Sequence, residues 1–171
     1  PIQTSVGVLG MPGLTAYCGF LEVCEPVPGD TVVISAASGA VGQIVGQIAR
    51  IMGCRVVGTA GSEEKVRYIV DELGFDVGIN YKKNNVSDAL DLACPNGIDV
   101  YFDNVGGVVT DAVMDRINSG ARIAICGQIS QYNLVEPELA PRNLSILTRS
   151  QAKMEGFLVF AYESRYEEGL T

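Results

Sequence analysis

Histidine and tryptophan are both absent from the 171 residues of this chain. Without histidine, the chain cannot offer an imidazole ligand to zinc or build a Ser-His-Asp triad. Positive charge is also scarce, since 12 Lys and Arg stand against 20 Asp and Glu and leave a formal net charge of −8. A broad nucleic-acid surface needs clustered cations, so this balance argues against nucleic acid as a partner, although one small cationic pocket is compatible with it.

No apolar run reaches the roughly 20 residues that a membrane-spanning helix needs, and no signal peptide is recognisable. Five cysteines are present in an odd number and without a Cys-x-x-Cys pair: Cys18, Cys24, Cys54, Cys94 and Cys126. This pattern favours reduced, buried thiols in a cytoplasmic protein. We therefore expect no membrane association, no bound metal and a cytoplasmic location.

The sequence does contain a regular alternation of short apolar runs and helical patterns. Strands are predicted at 31–37, 55–60, 76–81, 98–104, 121–127 and 156–162, and helices at 39–53, 63–73, 86–94, 106–118 and 143–151. Strands that alternate with helices form a parallel sheet covered on both faces. The prediction is an α/β fold with a doubly wound, parallel, six-stranded sheet and helices on both faces.

The stretch SAASGAVGQIVGQIARIMG (35–53) joins the first predicted strand to the first long helix. Within it Ala37, Gly39 and Gly42 have the spacing of G-x-G-x-x-G, with alanine in the first place. In dinucleotide-binding folds these positions make a tight turn, let the backbone approach a pyrophosphate and let the helix pack closely on the strand. The spacing predicts a Rossmann-type dinucleotide site. It is not a P-loop, because no G-K-[ST] follows.

The end of the second predicted strand indicates which dinucleotide is bound. An NAD-selective fold places Asp or Glu there to bind the ribose 2′-hydroxyl, whereas this chain has Thr59-Ala60-Gly61-Ser62. Ser62 is the predicted N-cap of the next helix, and Lys65 lies in its first turn. We interpret Lys65 as a ligand of a 2′-phosphate, which favours NADPH. A solvated surface lysine is the alternative.

Five segments together resemble the zinc-independent medium-chain reductases, and among them the prostaglandin reductase, leukotriene B4 12-hydroxydehydrogenase and curcumin reductase group. The segments are LGMPGLTAY (9–17), AASGAVG (36–42), VVGTAGSEEK (56–65), YFDNVGG (101–107) and CGQISQYN (126–133). The resemblance covers essentially the whole chain. It implies an enzyme that uses NADPH to reduce the C=C bond of α,β-unsaturated ketones or aldehydes.

The resemblance also implies how the chain is divided. Residues 1–30 are expected to be a lead-in helix and turn from an upstream catalytic domain that this sequence lacks, and 31–171 an NADP-binding domain. The chain begins at Pro1 and ends at Thr171 in an unfinished helical pattern. We expect a fragment of a longer enzyme, with little or no turnover by itself.

Cofactor contacts follow by position from the same resemblance, along the carboxyl ends of the strands. Tyr81 would lie by the adenosine, and Phe157, Leu158 and Val159 would offer backbone to the carboxamide. The full predicted set is Ala37, Gly39, Ala40, Val41, Gly42, Gly61, Ser62, Lys65, Tyr81, Asn104, Cys126, Gly127, Ile129, Tyr132, Phe157, Leu158 and Val159.

Tyr132 is the predicted catalytic residue. A phenol near the nicotinamide would hydrogen-bond the developing enolate of the substrate, as an oxyanion donor does. A surface loop tyrosine is the alternative for Tyr132, and for Asn104 the alternative is a turn that satisfies its side chain locally. Cys126 is interpreted as a small apolar strand residue, since hydride transfer needs no nucleophile.

Two other functions stay open at this point. A quinone reductase of the same superfamily would share the fold and NADPH and differ in substrate, and a nucleotide-sensing domain would bind without turnover. A short-chain dehydrogenase is disfavoured, because no tyrosine has a lysine four places on. A homodimer through the apolar edge strand 156–162 is a further candidate, since an unpaired edge is a liability.

Overall fold

The computed structural model describes residues 2–170, so Pro1 and Thr171, at the ends of the two predicted domains, lie outside the described residues. The strands are β1 (Thr31–Ile34), β2 (Arg55–Ala60), β3 (Val77–Asn80), β4 (Ile98–Asp103), β5 (Ile117–Ile125) and β6 (Lys153–Gly156). All pair in parallel, in the order β3-β2-β1-β4-β5-β6. The predicted doubly wound, six-stranded parallel sheet is confirmed.

Helices flank this sheet along the whole chain. They are α1 (Ile2–Val6), α2 (Met11–Cys18), α3 (Gly42–Ile51), α4 (Glu63–Arg67), α5 (Val86–Ala93), α6 (Gly107–Met114), α7 (Ser145–Arg149) and α8 (Tyr166–Gly169). A π-helical segment, Gly19–Val23, extends α2, and another, Tyr68–Glu72, extends α4. A 3₁₀ segment, Val159–Arg165, precedes α8. None of the helices between residues 2 and 170 is long and apolar enough to cross a membrane.

The two faces of the sheet carry separate buried clusters, as a sheet covered on both sides requires. On one face Val32, Ile34 and Val56 pack with residues of α2 and α3, including Phe20 and Val45. The opposite face has its own cluster of sheet and α5, α6 and α7 side chains, which includes Val33, Tyr101, Leu90, Val113 and Ile146. β1 therefore reads as a continuous apolar run, because it lies in the middle of the sheet and is buried on both sides.

Helix α2 belongs to the same core as the sheet. Its residues Ala16 and Cys18, together with Phe20 and Cys24 that follow, are fully buried. Ala16, Phe20 and Cys24 contribute to the cluster that includes α3. The predicted boundary at residue 30 does not separate two cores, although the role of 1–30 as a lead-in from an upstream domain stays a prediction.

Helix α2 and its π-helical extension also position the chain that follows β6. A Cβ added to Gly19 would lie 2.1 Å from Phe157 Cζ, so the Phe157 ring is seated directly on the helix backbone. The same ring meets Phe102 edge-on, with centroids 6.0 Å apart. Farther along, the Arg165 guanidinium forms an ion pair with Glu22. The segment after β6 is thus fixed to α2 at both of its ends.

Several predicted boundaries are wrong, and the sixth strand is the most informative case. It was expected at 156–162 but spans Lys153–Gly156, and Val159–Arg165 is a 3₁₀ segment. The apolar run reflects contacts of the partly buried Phe157 and the buried Val159 with neighbouring elements rather than strand pairing. A short apolar run does not distinguish a buried strand from a buried turn by periodicity alone.

Other boundary errors occur where one element passes into the next. The first strand ends at Ile34 instead of residue 37, because 35–41 form the turn, and α3 begins at Gly42 instead of Gly39. The helix predicted over 106–118 ends at Met114, and β5 begins at Ile117. Ser62 does cap α4, accepting a hydrogen bond from Lys65 N at 3.3 Å.

Close packing of α3 on the sheet face predicts a measurable effect of Gly46→Ala. A Cβ on Gly46 would lie 1.9 Å from Cζ of Phe75, a core ring that is only 3% exposed. We expect the free energy of unfolding to fall by about 2 kcal/mol, because overpacking outweighs the better helix propensity of alanine. Urea denaturation followed by circular dichroism measures this change.

Ile51→Ala is the matched control, since Ile51 lies on the same helix and is 85% exposed. Its free energy of unfolding should stay within about 0.5 kcal/mol of the parent chain. Equal stability of the two variants would contradict the packing described for Gly46.

Candidate functional site

The carboxyl ends of β1, β2, β3 and β4 lie at one edge of the sheet, and the turns that follow them build the site. Ligands of doubly wound folds bind at this edge, where the direction of strand order reverses. Here the reversal lies between β1 and β4, which pair directly. The turn 35–41 follows β1, and residues 104–106 connect β4 to α6.

The glycine turn after β1 is held by backbone hydrogen bonds. Ala37 N donates to Thr59 O of β2 at 2.9 Å, and Gly39 N donates to Ala36 O at 2.8 Å. Ala36 has a φ of +49°, which lies in the left-handed region that residues other than glycine rarely adopt. A Cβ on Gly42 would lie 2.5 Å from Ala36 O, so glycine there is needed for the helix to approach the turn.

Asp103, at the end of β4, joins the turn after β1 to the turn after β4. Its carboxylate is fully buried. It accepts hydrogen bonds of 2.6–3.0 Å from five groups, namely Ser35 Oγ, Tyr101 OH, Val105 N, Gly106 N and Thr110 Oγ1. All five donors are neutral. Sequence reasoning missed this residue, although an aspartate that directly follows the run Val100-Tyr101-Phe102 was a usable signal.

Tyr101 is the one titratable donor in this network. Burial raises the pKa of Tyr101 well above its ordinary value, and the neighbouring Asp103 carboxylate raises it further. The phenol therefore stays protonated and donates to Asp103 Oδ1 at 2.9 Å.

Asn104 links the two turns through its side chain and its backbone. Its Nδ2 donates to Ser35 O at 2.8 Å, and its backbone N donates to Ser35 Oγ at 2.8 Å. One of the two Nδ2 hydrogens is therefore used inside the protein, on a partner from the turn after β1 rather than within its own turn. A cofactor contact by Asn104 would use the second Nδ2 hydrogen or Oδ1.

The larger of two clefts at this edge has a volume of about 790 Å³. It brings together five of the predicted site residues, namely Gly39, Gly61, Lys65, Tyr81 and Ile129. Lys82 lines the same cleft and was not predicted. Glu136 and Glu138 of the loop after β5 line it too, and Glu138 accepts a hydrogen bond from Gln131 Nε2 at 3.1 Å.

The smaller cleft has a volume of about 600 Å³ and brings together five other predicted residues, namely Cys126, Gly127, Tyr132, Phe157 and Leu158. The Tyr132 side chain is 66% exposed, and its hydroxyl accepts a hydrogen bond from Gln128 N at 2.9 Å. Burial, followed by the nearby Asp103 carboxylate, raises the pKa of the Cys126 thiol to about 11. A thiol of this pKa is a poor nucleophile at neutral pH.

The remaining predicted residues line neither of these two clefts: Ala37, Ala40, Val41, Gly42, Ser62, Asn104 and Val159. Ala37 and Val159 are buried in the core. The Ser62 hydroxyl is occupied as the cap of α4. Among residues 2–170, no group of three or more His, Cys, Asp or Glu side chains is placed to hold a metal ion.

Comparisons with known proteins agree with this geometry. A family model described as zinc-binding dehydrogenase matches residues 40–171. The chain is 53% identical over 171 residues to a 2-alkenal reductase (NADP(+)-dependent) from Nicotiana tabacum, across 99% of this chain and 50% of that protein. It is 48% identical over 169 residues to prostaglandin reductase 1 from Mus musculus, across 98% of this chain and 51% of that protein.

The crystal structure of CurA in complex with NADPH from Vibrio vulnificus superposes with a TM-score of 0.94 and 48% sequence identity. The match covers 98% of this chain and 51% of that one. The chain thus spans about half the length of the curated relatives it matches. The resemblance to the prostaglandin reductase group is confirmed.

The buried Asp103 network predicts a large effect of Asp103→Asn. An amide presents one acceptor oxygen and an NH₂ group where the carboxylate accepts five hydrogen bonds. We expect the free energy of unfolding to fall by about 3 kcal/mol, because buried donors lose their acceptor. Urea denaturation measures this loss.

Asp91→Asn serves as the comparison for Asp103→Asn. The Asp91 side chain is 63% exposed and pairs with Arg116, so its replacement should lower stability much less than Asp103→Asn does. If both variants unfold at the same urea concentration, Asp103 does not hold the turns as described.

Proposed function

This chain belongs to the zinc-binding dehydrogenase family, and from that premise we propose that it is the NADPH-binding domain of an oxidoreductase. The full-length enzyme reduces the C=C bond of α,β-unsaturated ketones or aldehydes. One observation carries the proposal: the glycine turn and Lys65 line a single cleft beside the end of β2, where Gly61 stands in place of an acidic residue. The NADP dependence of the tobacco 2-alkenal reductase and the NADPH in the CurA complex support the same cofactor.

The residues of the larger cleft fit this cofactor. A Cβ on Gly39 would meet only Ala36 within 4 Å, so the backbone is open to a pyrophosphate on that side. Within residues 2–170, Lys65 forms no ion pair and its charge is available to a 2′-phosphate. Tyr81 lines the cleft at the same end, where the adenosine would lie. The chemistry that NADPH supplies when bound is hydride donation.

Tyr132 is proposed to stabilise charge on the substrate. Its hydroxyl oxygen already accepts the N–H of Gln128, so the phenolic proton can be donated elsewhere. A donor of this kind stabilises the carbonyl oxygen of an enone as negative charge develops there. Cys126 holds its proton, since its pKa is raised to about 11, and it takes no covalent role.

The proposal extends to three properties of the full-length protein. Reduction takes place without zinc, since hydride transfer to an enone can rely on a hydroxyl donor. All five cysteines are free, which supports a reducing, cytoplasmic location. A homodimer through this side of the sheet would have to pair the edge strand β6, where the Lys153–Glu155 ion pair replaces the apolar edge expected at 156–162 and disfavours strand pairing. Quinone reduction and nucleotide sensing are the alternatives.

Lys65→Ala tests the cofactor assignment on the chain itself. Calorimetric titration should give tighter binding of NADPH than of NADH to the parent chain. The variant should lose about 10-fold or more in NADPH affinity, the equivalent of one charge-assisted hydrogen bond, with NADH affinity nearly unchanged.

Arg67→Ala is the control for Lys65→Ala, because Arg67 carries the same charge on the same helix and does not line the larger cleft. Arg67→Ala should retain the preference for NADPH. Equal affinity of the parent chain for both dinucleotides would remove Lys65 from the site and reopen an NAD-linked function.

Tyr132→Phe tests the chemistry in the full-length enzyme. Removal of an oxyanion donor should lower kcat with an enone by about 100-fold, while NADPH affinity stays nearly constant. Steady-state kinetics with an α,β-unsaturated ketone measures both quantities. Unchanged turnover would rule out the donor role, and turnover of quinones with none of enones would favour the quinone reductase alternative.

A further inference from the structure

We propose that Lys82 is a second cationic ligand of the 2′-phosphate, so that two lysines, Lys65 and Lys82, share the discrimination between NADPH and NADH. This inference rests on the proposed function and names a specificity residue that the motif spacing does not indicate. Lys82 lies after β3, in the segment that follows Tyr81, whereas Lys65 lies on α4. The two side chains reach one cleft from different parts of the chain.

Lys82 lies directly against the end of β2. A Cβ added to Gly61 would lie 3.4 Å from Lys82 Cε and 3.1 Å from the Tyr81 hydroxyl. Position 61 follows the last residue of β2, where an NAD-selective fold carries its acidic residue near the ribose. In this chain, a lysine side chain passes over a glycine at that place, which puts positive charge where the ribose 2′ substituent is expected.

Asn80 organises the charges around this position. Asn80 is only 3% exposed, and both the oxygen and the nitrogen of its side-chain amide form hydrogen bonds. Oδ1 accepts a hydrogen bond from Lys82 N at 3.1 Å, and Nδ2 donates to Glu63 Oε1 at 2.5 Å. The hydrogen bond from Asn80, followed by the charge of Lys83, lowers the pKa of Glu63. One buried amide thus fixes the backbone of Lys82 and holds the carboxylate of Glu63.

Lys82 and its neighbour Lys83 differ in whether their charge is paired. Lys83 Nζ lies 3.6 Å from Glu63 Oε1, so the charge of Lys83 is partly neutralised. Lys82 and Lys65 form no ion pair within the part of the chain that the structure describes. Two uncompensated cations therefore remain at this end of the cleft, which suits a phosphate monoester carrying between one and two negative charges at neutral pH.

The acidic residues of the cleft lie on its other wall. Glu138 Oε2 is 3.6 Å from where a Cβ of Gly107 would be, close to the start of α6. Glu138 is held there by Gln131, and Glu136 belongs to the same loop. Neither forms an ion pair with Lys82 among the described residues.

Lys82→Met and Lys83→Met form the matched pair of variants that tests this inference. Both remove one charge from adjacent positions and keep an unbranched side chain, and only Lys82 lines the cleft. The probes are 2′,5′-ADP and 5′-AMP, which differ by the 2′-phosphate and avoid the nicotinamide half of the cofactor. Binding to the 171-residue chain is measured by calorimetry.

Lys82→Met should lower the affinity for 2′,5′-ADP by about 10-fold or more and leave 5′-AMP within about two-fold, since only the phosphate contact is lost. Lys83→Met should leave both affinities nearly unchanged. The affinity of the parent chain for 2′,5′-ADP should also fall more steeply with salt than that of Lys82→Met.

Two results would overturn the inference, and they separate it from the proposed function. If the parent chain and Lys82→Met prefer 2′,5′-ADP equally, Lys82 is not a ligand, and the NADPH assignment stands on Lys65. If the parent chain does not prefer 2′,5′-ADP over 5′-AMP, the NADPH assignment fails, and the inference fails with it. Unchanged urea denaturation of Lys82→Met verifies that the variant is folded.

Discussion

The site depends on one buried negative charge. Asp103 lies in the middle of the molecule, where an isolated carboxylate would cost several kcal/mol of folding free energy. Five neutral donors offset that cost, and each of them must stay in place to do so. Because these donors come from β4, from α6 and from the turns that follow β1 and β4, the carboxylate fixes the edge of the sheet at which a ligand would bind.

The hydrogen bonds to Asp103 hold the chain segments on both sides of the larger cleft. Ser35 begins the glycine turn and donates to Asp103, while Val105 and Gly106 continue into α6 on the other side. Asn104 adds a direct link from its side chain to Ser35 O. The spacing between the two turns is therefore set by this hydrogen-bond network.

Patterns that depend on local spacing were the predictable part. The alternation of strands and helices predicted the sheet. The glycine spacing predicted Gly39, and the residues after the second strand predicted Lys65. Both line one cleft, because the carboxyl ends of parallel strands meet at one edge of the sheet. Asp103 and Lys82 were not predicted from the sequence, since their roles depend on partners that lie far away along the chain. The sixth strand was misplaced because Phe157 packs against Gly19 in the π-helical extension of α2, a contact that no period in the sequence encodes.

The left-handed backbone of Ala36 has a consequence for the entropy of binding. Alanine at a φ of +49° is strained by about 1 kcal/mol, which glycine would relieve. Glycine would also leave the turn more conformations when unfolded and more freedom when folded. With alanine the turn is stiff and already shaped before any ligand arrives, so association does not have to order it. The fixed backbone conformation of this one residue thus preorganises the turn for the pyrophosphate that is proposed to bind there.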